Sequence, residues 1–299
     1  MSGREIVILG PGKVGTTLGI LAARAGWPVA GVGARDPARA RAAAEAIGPG
    51  VASGRLEDIA GRGRLAMLTV SDDAIEPVCT ELAHAGAFAS GAVVAHCSGA
   101  ISAEVLAPAR DRCAAAIGAM HPLQTFPSVA AGLERFAGTY CFCDGGDEAV
   151  GVLAELAEDL GARAVRIDSD RKSLYHASAV MACNYLTGLL DAALATAEDA
   201  GVARDEAAAA LEPLVRATLE NIRNLGPPAA LTGPIARGDV GLVARQARDV
   251  AAAAADLGRI YRALGAWTVD VAVRKGTIDA ARADELRRAL SEPGGQRPG

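Results

Sequence analysis

A chain of 299 residues is long for one domain and suits two. With 51% hydrophobic and 22% charged residues it can bury a sizeable core, and only 3% aromatics leaves Ala and Gly to do much of the packing. A net charge of −5 without a basic stripe excludes the electrostatic footprint of a nucleic-acid binder.

Met1-Ser2-Gly3-Arg4 runs straight into the apolar Ile6-Val7-Ile8-Leu9, without the pattern of a secretory leader. Short β-rich runs follow at 5–9, 29–33, 65–70, 92–96, 115–119, 139–143 and 163–167. Helical patterns lie between several of them, at 14–25, 37–46, 73–85 and 148–160. Strands alternating with helices predict an α/β domain over 1–168, a doubly wound and mainly parallel Rossmann sheet. The character changes near Asp168. Ala/Leu-rich helical patterns occupy 171–200, 204–224, 239–264, 268–274 and 279–290, interrupted at Gly226-Pro227-Pro228 and Thr232-Gly233-Pro234. These predict an all-α domain over 169–290, with 291–299 as a disordered tail.

The longest apolar stretch, 174–194, carries His176, Asn184 and Asp191. A membrane span rarely holds all three, so the stretch is expected to be a buried helix of a soluble, cytoplasmic protein. The six cysteines form no C-x-x-C and match no zinc spacing, so buried thiols are expected and no metal site.

The run Gly10-Pro11-Gly12-Lys13-Val14-Gly15 follows a strand and opens an amphipathic helix. In that context Gly10 permits the tight turn and Gly12 lets a pyrophosphate approach the backbone. Gly15 lets helix and strand pack closely. Lys13 and Val14 add to the free N–H groups of the helix start. An NAD site usually ends its second strand in an acid that holds the ribose hydroxyls. Here the strand reads Val29-Ala30-Gly31-Val32-Gly33-Ala34-Arg35-Asp36. Ala34 and Arg35 occupy that place, and a guanidinium suits a 2′-phosphate, so NADP (NADPH) is the expected cofactor. Asp36 is expected to cap the helix beginning at Pro37. Val70 and Ser71 end the strand at 65–70 and are expected along the cofactor. Asp72 and Asp73 read as the cap and first-turn acid of the next helix.

Polar groups at strand ends suggest a substrate side. His96, Ser98 and Gly99 lie in His96-Cys97-Ser98-Gly99-Ala100, and His121 and Gln124 in Met120-His121-Pro122-Leu123-Gln124-Thr125-Phe126-Pro127. Lys172 and His176, four apart, share a helix face in the segment that continues to Asn184. Hydride addition to a ketone or imine needs a proton donor, for which Lys172 and His176 are candidates, with Asn184 to orient the carbonyl. Thr232 and Arg237 sit in a Gly/Pro-shaped loop, Arg237 as a clamp for a substrate carboxylate or as a simple ion pair with Asp239.

The order GPGKVG, ARDP, HCSGA, MHPLQTFP, KSLYHASAVMACNYL and LTGPIARGD resembles a Rossmann-like oxidoreductase family whose helical C-terminal domain is a domain of unknown function. The resemblance spans roughly residues 4–285. More distantly the chain is similar to the 6-phosphogluconate dehydrogenase-like superfamily, which includes 3-hydroxyisobutyrate dehydrogenases, ketopantoate reductases and pyrroline-carboxylate reductases. The resemblance implies an NADP-type Rossmann domain, a helical domain that often mediates homodimerisation, and a catalytic Lys at the position of Lys172. The short Lys-to-Asn spacing of those dehydrogenases is absent, because position 176 is His. The expected activity is NADP-dependent reduction of a small 2-oxo acid, with ketopantoate first. Alternatives are imine reduction, deazaflavin–NADP hydride exchange, and a non-catalytic NADP-binding sensor or scaffold.

Overall fold

The computed structural model describes residues 4–291. They separate into two compact units, one up to Ala182 and one from Cys183 onward.

The first unit opens with β1 (Ile6–Leu9), α1 (Lys13–Arg24), β2 (Val29–Gly33), α2 (Pro37–Ile47), the short β3 (Ala52–Gly54) and α3 (Leu56–Ile59). Then come β4 (Leu65–Leu68), α4 (Asp72–His84), β5 (Val93–His96), α5 (Ala107–Cys113), β6 (Ala116–Pro122) and α6 (Val129–Arg135). It closes with β7 (Tyr140–Gly145), α7 (Asp147–Asp159), β8 (Arg163–Arg166) and α8 (Lys172–Ala182). One eight-stranded sheet has the order β3-β2-β1-β4-β5-β6-β7-β8. The order reverses between β1 and β4, which makes the carboxyl end of β1 a ligand crevice. The sheet is parallel except that β7 runs antiparallel to β6. The three-residue β3 was not legible as a strand.

Side chains of a strand alternate between faces, and both faces of this sheet are covered. Ile6 and Ile8 join Leu65 and Met67 in one core with α1, α2 and α7. Val7 and Leu9 join Ala66 and Leu68 in the other, with α3, α4 and α5. Each such Leu or Ile removed from water contributes roughly 1.5–3 kcal/mol. Cys141 and Cys143, two apart on β7, both enter the first core, and burial raises both thiols to about 12.

The second unit contains α9 (Asn184–Asp199), α10 (Arg204–Leu225), α11 (Pro227–Ala230), α12 (Val240–Ala253), α13 (Ala255–Lys275) and α14 (Ala280–Leu290). Its core is small: Val243, Ala247, Val269, Ala272, Ile278, Ala283, Leu286 and Leu290. These come from the last three helices and the link before α14. No residue of α9 is buried, and only Ala207 of α10.

Three expectations need correction. The helix over 171–200 is two helices, broken at Cys183, where no Gly or Pro warns of a break. The stretch 174–194 has the length and apolarity to cross a membrane, yet it is split and exposed instead of buried: Leu174, Met181, Tyr185 and Leu189 all face outward. The patterns 239–264 and 268–274 divide at Ala254, which is extended (φ −149°, ψ 129°) within an alanine run. The first compact unit runs to Ala182, past the expected boundary at 168, and the buried Lys172 ties α8 into it. The expected disordered tail over 291–299 lies outside the described residues except for Ser291.

Candidate functional site

The glycine turn is built as its spacing implies. Gly10 has φ +103°, and a Cβ there would lie 2.6 Å from Val70 Cγ1, so both backbone and space require glycine. A Cβ on Gly15 would collide with Thr69 Oγ1, so α1 can approach β4 only without one. Thr69 Oγ1 donates to the Gly10 carbonyl at 2.7 Å and locks the turn to the end of β4. Gly12 differs: nothing lies within 4 Å of its Cβ position, so its face is open to a ligand. Among the described residues no side chain caps α1, which leaves the first-turn N–H groups of Lys13, Val14 and Gly15 without a capping acceptor.

A pocket of about 390 Å³ opens on this turn, lined by Gly10, Gly12, Ala34, Arg35, Val70 and Ser71 among others. Lys13, Val14 and Gly15 do not line it. Asp36 accepts a hydrogen bond from the Ala38 N–H at 2.9 Å and caps α2, so its carboxylate is committed. Arg39 also lines the pocket, four residues from Arg35. Sequence reasoning missed it, although the Arg-Asp-Pro-Ala-Arg spacing places both guanidiniums at the start of one helix. Two exposed cations beside a free helix N-terminus suit a dinucleotide with a 2′-phosphate.

The ends of β5 and β6 carry a second set of polar groups, and here several expectations change. His96 is fully buried. Its Nδ1 accepts from the Ser98 N–H at 3.1 Å, and its Nε2 lies 3.2 Å from the Ser102 carbonyl. Burial, helped by the Lys172 charge, lowers it to about 4. With no exposed surface and both ring nitrogens against backbone groups, it holds the loop after β5. Ser98 Oγ accepts from the N–H groups of Ala100 and Ile101 and donates to Asp72 Oδ2 at 2.8 Å. Its capacity is used up in holding the loop after β5 to α4, so it is not a free substrate ligand. Asp72 is accordingly a bridge to that loop, and the N-cap of α4 is Ser71. Gln124 accepts from Thr125 and donates to the Arg135 carbonyl, which makes it a turn residue.

Lys172 is fully buried. Its Nζ donates to Asp144 Oδ1 at 2.6 Å, and Asp144 is also fully buried. Asp144 Oδ2 accepts in addition from the Ala103 N–H and Ser169 Oγ. Burial pulls the lysine down and the carboxylate opposes it. The expected catalytic lysine therefore fastens α8 onto β7 and the segment after β5, out of reach of a ligand.

One turn further along α8, Tyr175 and His176 emerge half-buried. Tyr175 Oη lies 2.9 Å from His121 Nδ1, and the His121 and His176 rings meet edge-on with centroids 5.7 Å apart. The Tyr175 ring packs on Phe142 of β7, centroids 4.3 Å apart. Gly99 forms the floor: a Cβ there would lie 2.5 Å from His176 Cδ2 and 2.8 Å from His121 Cε1. Burial, with the His176 and Lys172 charges, lowers His121 to about 4. Burial raises Tyr175. Sequence reading found His121, His176 and Gly99 but passed over Tyr175, a lone aromatic on an apolar helix.

In the second unit Asn184 is exposed at the start of α9, and Thr232 is exposed. Arg237 stands mostly in solvent, 3.7 Å from Asp239. Lys275 Nζ donates to the carbonyls of Leu231 and Ala229 and pins that loop. No cluster of His, Cys, Asp and Glu suited to a metal occurs among the described residues.

The strand order, the glycine turn and the helical extension define a Rossmann-type protein with a second, all-helical part. Two family models match the chain: residues 3–122 match the Rossmann-like domain, and residues 139–268 match DUF2520, a domain of unknown function. No curated protein matches the chain. Among solved structures it is similar to protein TM1727 from Thermotoga maritima, at TM-score 0.72 and 22% identity, over 91% of this chain and 99% of that one. It is also similar to BF3122 from Bacteroides fragilis, provisionally named an NADP oxidoreductase, at TM-score 0.69 and 22% identity, over 89% and 98%. An imine reductase from Streptomyces aurantiacus aligns at TM-score 0.61 and 18% identity, over 96% and 98%. At these identities the likeness establishes the fold.

Proposed function

We propose that the protein is an NADP(H)-dependent oxidoreductase that reduces a small carbonyl or imine compound. The observation that carries this is the pocket at the glycine turn, open at Gly12 and bordered by Arg35 and Arg39 with Asp36 committed to its helix. Gly10, Gly12 and the start of α1 would receive the pyrophosphate, and the two arginines the 2′-phosphate. When bound, the reduced nicotinamide supplies hydride. The chain's own part is to hold the acceptor and handle the proton.

A 2-oxo acid, ketopantoate first, is the leading substrate class, with Arg237 as the candidate carboxylate clamp. Imine reduction is the second, favoured by the name of the Streptomyces relative. Fluorescence titration with NADPH and NADH, followed by turnover of a panel of 2-oxo acids and cyclic imines, tests the proposal. Tighter binding of NADPH is expected. Replacing Arg35 and Arg39 by Ala should weaken NADPH on the order of 10²–10⁴-fold while NADH hardly changes, since charge-assisted hydrogen bonds contribute roughly 1.5–3 kcal/mol each. Equal affinity for both cofactors, or none for either, would sink the reading.

We further propose a homodimer through the helical domain of a soluble, cytoplasmic enzyme. Exposed Leu214, Leu219, Ile222, Leu225 and Trp267 support a partner surface in that unit. Sedimentation at micromolar concentration should give twice the chain mass, and a monomer would refute it.

A further inference from the structure

We propose that Tyr175 delivers the proton to the reduced carbonyl oxygen or imine nitrogen, with His121 holding its hydroxyl and restoring its proton. This rests on the reductase reading above and adds a residue and a relay to it.

The geometry leaves few other donors at the ends of β5 and β6. Lys172 is sealed on Asp144, both nitrogens of His96 face backbone, and Ser98 already serves Asp72 and two N–H groups. Tyr175 is held on both sides: its ring lies on Phe142 and its oxygen on His121 Nδ1. Gly99 lets both imidazoles pack directly against its backbone, since a Cβ there would lie within 3 Å of each ring, and this fixes the His121 ring that holds the Tyr175 hydroxyl. The dyad sits at the carboxyl ends of the strands, where ligands of open α/β folds bind. From β2, with Arg35 at its end, to β6, with His121, is four strand spacings, about 19 Å. Cofactor phosphate and reacting centre thus fall at opposite ends of one extended ligand.

The step balances. The hydride electron pair forms a C–H bond, the C=O or C=N π pair moves onto the heteroatom, and the Tyr175 proton joins that atom. The Nδ1–H of His121 stabilises the phenolate, and one proton per turnover returns through the imidazole from solvent. His121 must be neutral for this. The groups facing it are Tyr175 and His176 from α8, Lys172 deeper in α8, and Asp72 from α4. His176 and Lys172 oppose a positive charge there, Asp72 favours one, and burial acts with the first two.

The experiment compares wild type with Tyr175→Phe and with Tyr175 replaced by 3-fluorotyrosine, which keeps the ring packing. NADPH affinity, kcat, KM and the pH profile are measured on the compound that wild type reduces best. His121 ring nitrogens are followed by NMR in the free protein between pH 5 and 8. Expected are unchanged NADPH binding, kcat lower by about 10²–10⁴-fold in Tyr175→Phe with KM little moved, and an alkaline limb shifted to lower pH by the fluorotyrosine. His121 should stay neutral throughout, with an Nδ1 shift that changes in Tyr175→Phe. Retained kcat in Tyr175→Phe with NADPH bound would overturn the dyad and leave the reductase standing. So would a fixed alkaline limb, or a His121 that titrates near 6.5 and ignores Tyr175. Wild type that binds no NADPH, or reduces nothing on the panel, would end the reductase reading and the dyad with it.

Discussion

The Rossmann unit and the helical unit spend their apolar residues differently. In the first, consecutive residues of β1 alternate between two cores, and β1, β4 and β5 are buried along their whole length. In the second, eight residues make the core, and α9 and α10 bury almost nothing. Apart from Leu123 and Tyr140, the large hydrophobics exposed among the described residues all lie from Leu174 onward. A sheet covered on both faces is complete within one chain. Long helices with one apolar stripe are complete only when something lies along the stripe. The first unit carries its own core on both faces of the sheet, while α9 and α10 leave their apolar side chains exposed among the described residues.

Four experiments bear on that contrast, taken from the largest effect downward. The first attacks the self-sufficient unit. Lys172→Met leaves the Asp144 charge buried without its partner, and about 3–5 kcal/mol should be lost in chemical denaturation. The double variant with Asp144→Asn should recover most of this; equal damage in both would mean that the pair is not the fastening. The second is Gly99→Ala. Its Cβ would press on His176 and His121, so 1–3 kcal/mol of stability is expected to go, together with most turnover, while NADPH affinity holds. Undiminished kcat would show that the imidazoles have room to move.

The third concerns pH. His96 is depressed to about 4 in the fold, against an ordinary value near 6.5. Between those values the unfolded chain binds the extra proton, so stability is full above pH 6.5 and falls as the pH drops towards 4. The loss is on the order of 2–3 kcal/mol for this group. Urea midpoints from pH 7 to 4, in wild type and His96→Gln, should diverge from each other; parallel curves would exclude His96 as the cause. The fourth tests the incomplete unit. Trp267→Asp and Leu214→Asp lie on exposed surface and should hardly alter a monomer. If a second copy covers them, they should abolish the dependence of Tm on protein concentration. Unchanged sedimentation in both would send the search for the covering surface elsewhere.

The sequence was most legible where one backbone requirement admits one residue. Gly10 needs positive φ, Gly15 needs contact with Thr69, and both could be read from spacing after a strand. Asp36 before Pro37 was equally readable as a cap. The helix breaks at Cys183 and Ala254 were not, since neither is marked by the Gly or Pro that usually ends a helix. Lys172 misled because charge and helix position look the same whether an ammonium faces a cleft or a carboxylate. Its partner Asp144 lies on a strand 28 residues earlier, a pairing that only the antiparallel β7 creates. Tyr175 was invisible for a related reason: its meaning comes from His121, 54 residues away.

The sealed lysine has a practical use. The chain contains three lysines, Lys13, Lys172 and Lys275. An amine-acylating reagent should reach Lys13 on its exposed helix start at once and leave Lys172 intact for as long as α8 stays seated on β7. Mass spectrometry of that one peptide then reads, without any engineered label, how often the helix carrying Tyr175 and His176 lifts away.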